Sequence, residues 1–199
     1  MKKRIRSAES QDAQAIRDIY APFVAESATS FEVTVPDLPE IERRINNSRG
    51  QYPWLVFEGG GKVLGYAYAS SHRQRKAYQW CVDVSVYICD EVRNCGVGKA
   101  LYSALFEMLR RQGYVNAYAG ITLPNPASIR LHESLGFVLV GNYSRIGFKF
   151  GRWHDVSWFH LRLQEALPPA SEPLHCAELF HDESINALLV TCAQTVRLE

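Results

Sequence analysis

The chain has little that would direct it into a membrane or out of the cell. Among its 199 residues no apolar run reaches the length of a membrane-spanning helix, and the opening MKKRIRSAES lacks the apolar centre of a signal peptide. A formal net charge of +1 gives no general attraction to nucleic acid or to an anionic lipid surface. We therefore expect a cytoplasmic protein that has neither nucleic acid nor membrane as a partner.

Cysteines and histidines are too scattered to predict a disulfide framework or a metal site. The five cysteines are odd in number and form no C-x-x-C pair. The histidines show no metal-ligand spacing. Reduced thiols and no bound metal are the expectation.

The chain does have enough apolar sequence for one domain. Apolar residues make up 47% and charged residues 22% of the chain, and a domain of this size buries roughly 70% of its unfolded surface. The pattern loosens after Leu167, where PPASEP is typical of a linker. We expect one domain over residues 1–167 and an extension of unknown role over residues 168–199, either docked or poorly ordered.

Strand-like and helix-like patterns alternate along the domain, which predicts an α/β fold. In chain order the predicted elements are a strand near residues 3–7, helices from about residue 12 and after residue 37, a hairpin around GGGK, a strand over 80–88, a helix ending at Gly113, a strand over about 115–122, a short helix from residue 125, and strands over 137–143 and 156–163 joined by RIGFKFGRWHD.

A glycine loop, RNCGVGKA over residues 93–100, lies between a strand and a helix and predicts an anion site. Gly96 and Gly98 allow a tight turn and close approach, and the helix N-terminus attracts negative charge. A diphosphate would suit it. A P-loop would need Gly at Arg93 and Ser or Thr at Ala100, and a dinucleotide fingerprint would need Gly at Leu101. An ordinary glycine-containing helix entry is the alternative.

A second motif agrees with this loop. NPASIRLHESLGF begins at Asn125, a good helix cap, and contains Gly136, which suits a left-handed helix stop. The loop resembles the pyrophosphate loop of the GCN5-related (GNAT) acetyltransferases, and NPASIRLHESLGF resembles their second cofactor motif. The resemblance implies a GNAT fold: a mixed, mostly antiparallel sheet with helices on both faces, in which a splayed pair of strands forms the acetyl-CoA cleft.

The same resemblance implies acetyl-CoA as co-substrate and indicates the residues that bind it. These residues end the strand over 80–88, form the glycine loop and begin the second motif: Val86, Tyr87, Ile88, Arg93, Asn94, Cys95, Gly96, Val97, Gly98, Lys99, Asn125 and Ser128. From Asp83 to Ile88 an extended chain spans about 16 Å, which suits a pantetheine arm paired with the backbone of Val86 and Ile88.

Asp83 is the expected catalytic base. It lies on the more polar face of its strand. Acetyl transfer to an amine needs a group that takes the amine's proton, and a carboxylate beside the thioester could do so directly or through a water. The alternative is an edge-strand charge that keeps sheets apart.

Within the GNAT acetyltransferases, the chain is similar to the phosphinothricin and methionine sulfoximine N-acetyltransferases. It covers roughly residues 3–165, and GFKFGRWHDVSWFHLRL is its most specific part. That family usually has Glu, taken as general base, at the position of Asp83, and the shorter Asp favours a water relay. The resemblance implies a homodimer and an acceptor that is a small amino-acid analogue with an α-carboxylate.

An acidic acceptor needs cations near the base. Arg73 and Arg75 precede the Asp83 strand and could hold a carboxylate with forked hydrogen bonds, and Tyr78 could line the same pocket. Solvated loop arginines are the alternative. Phe31 and Glu32 of TSFE match the family loop that closes over the acceptor, although Glu32 could instead be a plain surface charge.

Two histidines have two interpretations each. His132 falls where many acetyltransferases place a Tyr that protonates the departing thiolate, so it is either a general acid or a helix-packing residue. His154 matches a family position near the acceptor pocket or the subunit contact, or else it forms a structural pair with Asp155.

These motifs leave other functions open. The same fold could bind acetyl-CoA without catalysis, as a sensor or a partner module, and Asp83 would then be dispensable. Among enzymes, the acceptor could be a polyamine, an aminoglycoside or a protein N-terminus. The HRQR segment favours an anionic acceptor.

Overall fold

Seven strands form one open sheet in the computed structural model, which describes residues 2–165, 171–180 and 182–198. The strands are β1 (Lys3–Ser7), β2 (Trp54–Gly59), β3 (Lys62–Ser71), β4 (Cys81–Ile88), β5 (Asn116–Thr122), β6 (Val138–Lys149) and β7 (Arg152–Arg162). Their order is β1-β2-β3-β4-β5-β7-β6, and neighbours are antiparallel except β4 and β5. The sheet is therefore mixed and mostly antiparallel, which confirms the sequence prediction.

Within the described residues six α-helices accompany the sheet, and local signals set several of their ends. They are α1 (Ala13–Ala25), α2 (Leu38–Ser48), α3 (Val97–Gln112), α4 (Pro126–Ser134), α5 (Cys176–Leu179) and α6 (Glu183–Gln194). The Asp37 carboxylate caps α2 by accepting from the Glu40 N–H at 2.9 Å. Gly113 ends α3 with φ +95°, a left-handed conformation that glycine adopts readily. No helix in the described ranges is long and apolar enough to cross a membrane.

Side chains point alternately to the two faces of the sheet along each strand, and each face has its own hydrophobic core. In β2, Leu55 and Phe57 pack into the core that contains α3, whereas Trp54 and Val56 pack into the core beneath α1 and α2. Both sets are buried because helices cover both faces.

The chain after residue 170 adds to the core beside α3. Ile185, Leu189 and Val196 are buried there, and α6 packs against both β1 and α3. This docked arrangement is one of the two possibilities that the sequence left open. The domain boundary predicted at residue 167 lies outside the described residues and stays a prediction.

One predicted connection is wrong. The segment RIGFKFGRWHD does not join two short strands, because most of it extends β6 and β7. The turn consists of Phe150 and Gly151, both with positive φ (51° and 72°). A bulky residue seldom adopts this conformation, so the sequence carries no turn signal there. A bulge at Arg145, φ 52°, interrupts the register of β6 against β7 between Tyr143 and Gly147.

Candidate active site

A cleft opens where β4 and β5 part. Their parallel pairing covers only Cys81 with Asn116, Val82 with Ala117 and Asp83 with Tyr118. β4 continues to Ile88 and β5 to Thr122, but the two strands do not pair with each other over these residues. Asp83 therefore lies at the last paired position, where the two strands begin to separate.

The edge of β4 in this cleft presents backbone groups that no strand pairs. The Cys89 N–H donates to the Leu64 carbonyl, on the β3 side of the strand. The Trp80 carbonyl accepts from the N–H groups of Val115 and Asn116, on the β5 side. Since backbone groups alternate in direction along a strand, those of Val86 and Ile88 face the cleft beyond the last position that pairs with β5. An extended ligand with amide groups would satisfy them.

The glycine loop closes one end of the cleft. Gly96 has φ +88° and directly precedes α3, whose first N–H groups have no helical partner. A Cβ at Gly98 would lie 3.2 Å from the Leu131 side chain and 3.8 Å from that of Ile88. Gly98 thus lets the start of α3 pack closely against α4 and the end of β4. Arg93 is exposed and pairs with Asp90.

The second motif forms the floor of the cleft. Asn125 caps α4, since its Oδ1 accepts from the Ser128 N–H at 3.1 Å. Asn125, Ser128 and His132 all line the cleft together with Tyr102 of α3. The two sequence motifs, separated by a helix and a strand, therefore meet at one cleft.

Tyr102 determines what His132 can do. The buried His132 donates from Nδ1 to the Ser128 carbonyl at 2.8 Å, so its Nε2 accepts from the Tyr102 hydroxyl at 3.2 Å. Burial lowers the pKa of His132, which keeps the ring neutral. In this arrangement the ring has no proton free for a thiolate, and the packing interpretation of His132 is favoured. No sequence signal points to Tyr102, because one more large ring on the core face of a helix predicts only packing.

Asp83 lines a second cavity, of about 450 Å³, that is continuous with the cleft. Thr29, Val84, Ser85, Gly120 and Thr122 border both spaces, and the further lining of the cavity comprises Phe31, Ser70, Asp83, Tyr143, Ile146, Val156 and Trp158. β4 is a central strand, so the interpretation of Asp83 as an edge-strand charge is wrong. Burial raises the pKa of Asp83, and His72 and Arg73 oppose that shift.

His72 is the partner of Asp83, a role that the sequence did not reveal. Its Nδ1 lies 2.7 Å from Asp83 Oδ1. The imidazole stacks on Tyr118 of β5 at 4.4 Å between ring centroids, and the rings of Tyr78 and Trp158 lie edge-on at 6.3 and 6.1 Å. Eleven residues separate His72 from Asp83, so only the pairing of β3 with β4 brings them together.

The loop between α1 and α2 forms one wall of the cavity. The buried Lys149 ammonium donates to the backbone carbonyls of Val24, Ser27 and Ser30 at 2.7–2.9 Å, which fixes this loop to β6. Burial lowers the pKa of Lys149. Phe31 reaches the cavity, whereas Glu32 pairs with Arg44 at 2.7 Å and accepts from the Tyr20 hydroxyl.

The remaining predicted acceptor residues lie around the cavity instead of lining it. Arg73 and Arg75 are exposed in the loop after β3, where Arg73 donates to the His72 carbonyl, and Tyr78 is 43% exposed. The buried His154 donates from Nε2 to the Lys149 carbonyl at 3.0 Å, and its ring lies 6.2 Å from that of Phe31.

The predicted pair between His154 and Asp155 is wrong. The Asp155 carboxylate instead accepts from the backbone N–H of Arg145 at 2.7 Å. Adjacent residues of a strand point to opposite faces of the sheet, so the side chains of His154 and Asp155 lie on different faces. Asp155 is therefore free to bind the backbone of the bulge at Arg145. Across the described ranges, no group of three or more His, Cys, Asp or Glu side chains could hold a metal ion.

Comparison with known proteins agrees with this geometry. A family model described as an acetyltransferase (GNAT) domain matches residues 5–158. A phosphinothricin N-acetyltransferase from Streptomyces viridochromogenes is 37% identical over 166 residues, which are 83% of this chain and 90% of that protein. An L-methionine sulfoximine/L-methionine sulfone acetyltransferase from Salmonella typhimurium is 36% identical over 169 residues, 83% of this chain and 97% of that protein.

A solved structure agrees as well. The crystal structure of a GNAT superfamily phosphinothricin acetyltransferase from Sinorhizobium meliloti, in complex with acetyl-CoA, superimposes with a TM-score of 0.80 at 37% identity. The match covers 87% of this chain and 94% of that chain. The helices α5 and α6 lie beyond the end of the family model at residue 158.

Proposed function

The chain belongs to the GNAT family and is an acetyl-CoA-dependent N-acetyltransferase, and we propose that its acceptor is a small amino acid of the phosphinothricin or methionine sulfoximine type. One observation carries the proposal: the cleft between β4 and β5 opens into the cavity that Asp83 lines. A thioester held in the cleft and an amine held in the cavity would meet beside that carboxylate.

The cleft suits acetyl-CoA by its chemistry. The free backbone groups of Val86 and Ile88 match the amides of a pantetheine arm, and the glycine loop at the start of α3 matches a diphosphate. Bound acetyl-CoA supplies an acetyl group activated as a thioester.

Asp83 would take the proton that the acceptor amine must lose before it attacks. Its carboxylate is 30% exposed, so it is accessible from the cavity while largely desolvated. The raised pKa that burial causes brings the carboxylate nearer to the working pH, which makes it a better proton acceptor than an exposed aspartate.

The charge of the cavity favours an amino acid over a polycation. Asp83 is the one charged side chain in the described lining and suits one ammonium group. Arg73 is close enough to lower the pKa of Asp83, and with Arg75 it would hold the acceptor's carboxylate. Trp158 lines the same cavity with its aromatic ring, and its buried indole N–H has no hydrogen-bond partner in the described structure.

Steady-state kinetics against a panel of amines tests the proposal. The panel contains methionine sulfoximine, phosphinothricin, their methyl esters, free amino acids and a polyamine. We expect the free acids to give the highest kcat/KM, and we expect Arg73→Ala with Arg75→Ala to raise their KM about ten- to a hundredfold. A parent enzyme that prefers an ester or the polyamine would contradict the amino-acid assignment.

We also propose a homodimer formed through the β6–β7 hairpin. β6 is an edge strand, and the hairpin exposes large apolar side chains, each at least 48% exposed: Val138, Leu139, Val140, Tyr143, Ile146, Phe148, Phe150 and Trp153. A group of exposed apolar side chains of this kind is typical of a protein–protein contact. Light scattering should give twice the chain mass, and Trp153→Glu should give monomers, whereas a monomeric parent would refute the dimer.

A further inference from the structure

The carboxylate of Asp83 is held at one oxygen and free at the other. Oδ1 lies 2.7 Å from His72 Nδ1, and because a carboxylate can only accept, Nδ1 carries the proton of this hydrogen bond. The structure gives Oδ2 no hydrogen-bond partner among the described residues, and Asp83 lines the acceptor cavity. The pair therefore separates the two oxygens into one that is fixed and one that can accept a proton.

His72 is itself firmly located. Its side chain is only 14% exposed, it stacks on Tyr118 at 4.4 Å with an interplanar angle of 19°, and it begins the loop that follows β3. The register of β3 against β4 pairs Ser70 with Asp83 and Ser71 with Val82, which brings residue 72 beside the carboxylate. A donor placed in this way restricts both the position and the rotation of the Asp83 side chain.

Building on the proposed function, we propose that His72 is the positioning residue of the catalytic base: its Nδ1–H fixes Oδ1, directs Oδ2 to the acceptor amine, and keeps the half-buried carboxylate ionised. Without this donor, the carboxyl would be desolvated with little compensation. It would then rotate and hold its proton more tightly, and both changes reduce base catalysis.

Most other groups around the pair keep the same charge at acid and neutral pH. Burial raises the pKa values of Cys81 on β4, Tyr68 on β3 and Tyr118 on β5, so these three stay uncharged at acid and neutral pH. Arg73 contributes a positive charge that lowers the pKa of Asp83, and the ring of Tyr78 lies beside that of His72. His160 contacts Tyr118, and burial lowers its pKa.

Two substitutions separate the hydrogen bond from the shape of the ring. In His72→Asn the side-chain amide places an N–H close to the position of Nδ1, whereas His72→Phe keeps an aromatic ring on Tyr118 but has no donor. We expect His72→Phe to lower kcat about ten- to a hundredfold with acetyl-CoA affinity unchanged, and His72→Asn to recover most of that loss. His160→Gln is the matched control, because His160 lies beside the same tyrosine, 5.0 Å between centroids, without contact to Asp83.

The pH profile gives a readout that a structural role would not change. Because the His72 hydrogen bond lowers the pKa of Asp83 against burial, its loss should move the acid limb of kcat/KM to higher pH. We expect a shift of about one to two units in His72→Phe and little shift in His72→Asn. Equal activity and equal profiles in both variants and the parent would overturn the proposal, as would equal losses in both variants without a shift.

A measurement without acceptor keeps this test independent of the acceptor assignment. In the free protein, NMR should detect a slowly exchanging imidazole Nδ1–H that disappears in His72→Phe and exchanges quickly in Asp83→Ala. Its absence from the parent would overturn the positioning role even if turnover is normal. If the signal is present but no amine in the panel is acetylated, the proposed function fails while the pair itself stands.

Discussion

The ring of Phe31 lies directly on the backbone of Gly147. A Cβ at residue 147 would lie 2.2 Å from Phe31 Cε2 and 2.4 Å from Cζ, far inside contact distance. Glycine at this position on β6 therefore allows the loop after α1 to bring an aromatic wall to the acceptor cavity. Lys149, two residues further along, holds the same loop by three backbone carbonyls.

Gly147→Ala should consequently displace Phe31 and widen the acceptor cavity. We expect acceptor KM to rise on the order of tenfold, since part of an aromatic contact worth about 1.5–3 kcal/mol is lost. Acetyl-CoA affinity should not change. Steady-state kinetics with both substrates varied measures this. Gly141→Ala is the matched control on the same strand, because a Cβ there meets nothing within 4 Å; an unchanged acceptor KM in Gly147→Ala would refute the role of Phe31.

Asp83→Asn should lower turnover by roughly 10²- to 10⁴-fold, the usual range for general base catalysis. Because burial raises the pKa of Asp83, parent kcat/KM should begin to fall at a higher pH than an exposed aspartate would give, and the variant should lack that ionisation. Turnover within a few-fold of the parent would mean that Asp83 is not the base.

The same substitution has a predictable effect on stability. A carboxyl whose pKa is raised on folding binds its proton more tightly in the native state, so it destabilises the fold once the pH exceeds that pKa. Asp83→Asn should therefore retain or raise Tm at neutral pH, and differential scanning calorimetry can measure this. A large loss of Tm would indicate a structural role and would undermine the kinetic test.

Substitutions at Gly98 should weaken acetyl-CoA binding in a graded way. A Cβ there would lie 3.2 Å from Leu131, a flexible side chain that can move slightly, so Gly98→Ala should bind somewhat less tightly than the parent. Gly98→Val adds an isopropyl group between α3, α4 and Ile88 and should abolish binding. Thermal shift at saturating acetyl-CoA reads this directly, since a ligand of the folded state raises Tm. An equal shift in Gly98→Val and the parent would contradict the site.

The end of the chain should support the glycine loop. The Arg197 N–H donates to the Cys95 carbonyl at 2.9 Å, one residue before Gly96, and the Lys3 ammonium donates to the Val196 carbonyl at 2.7 Å. Arg197→Pro removes that donor and should weaken acetyl-CoA binding about two- to tenfold, which corresponds to one neutral hydrogen bond. Titration calorimetry with Arg197→Ala as control, which keeps the N–H, separates the backbone effect from the charge. Equal acetyl-CoA affinities in Arg197→Pro and Arg197→Ala would show that the Arg197 N–H does not support the glycine loop.

The sequence alone determined the fold family and most of the element boundaries. Period-2 and period-3.6 patterns, the cap at Asp37 and the glycine at residue 113 are local signals, and local geometry is what they specify. The two cofactor motifs were recognisable for the same reason, because a tight turn and a capped helix need particular residues within a few positions of each other. Asp83 stood out as an acidic residue on the polar face of an apolar strand.

Only the tertiary structure decided which side chains meet across the sheet. The pairing of β3 with β4 brings His72 to Asp83, and the packing of α3 on α4 brings Tyr102 to His132. Neither contact has a fixed sequence spacing, since each depends on strand register or helix packing. For the same reason Glu32 pairs with Arg44 instead of lining the cavity, and the RIGFKFGRWHD segment forms strands through pairing that its own residues do not signal. Local propensity sets the elements, and long-range register and packing set the chemistry of the site.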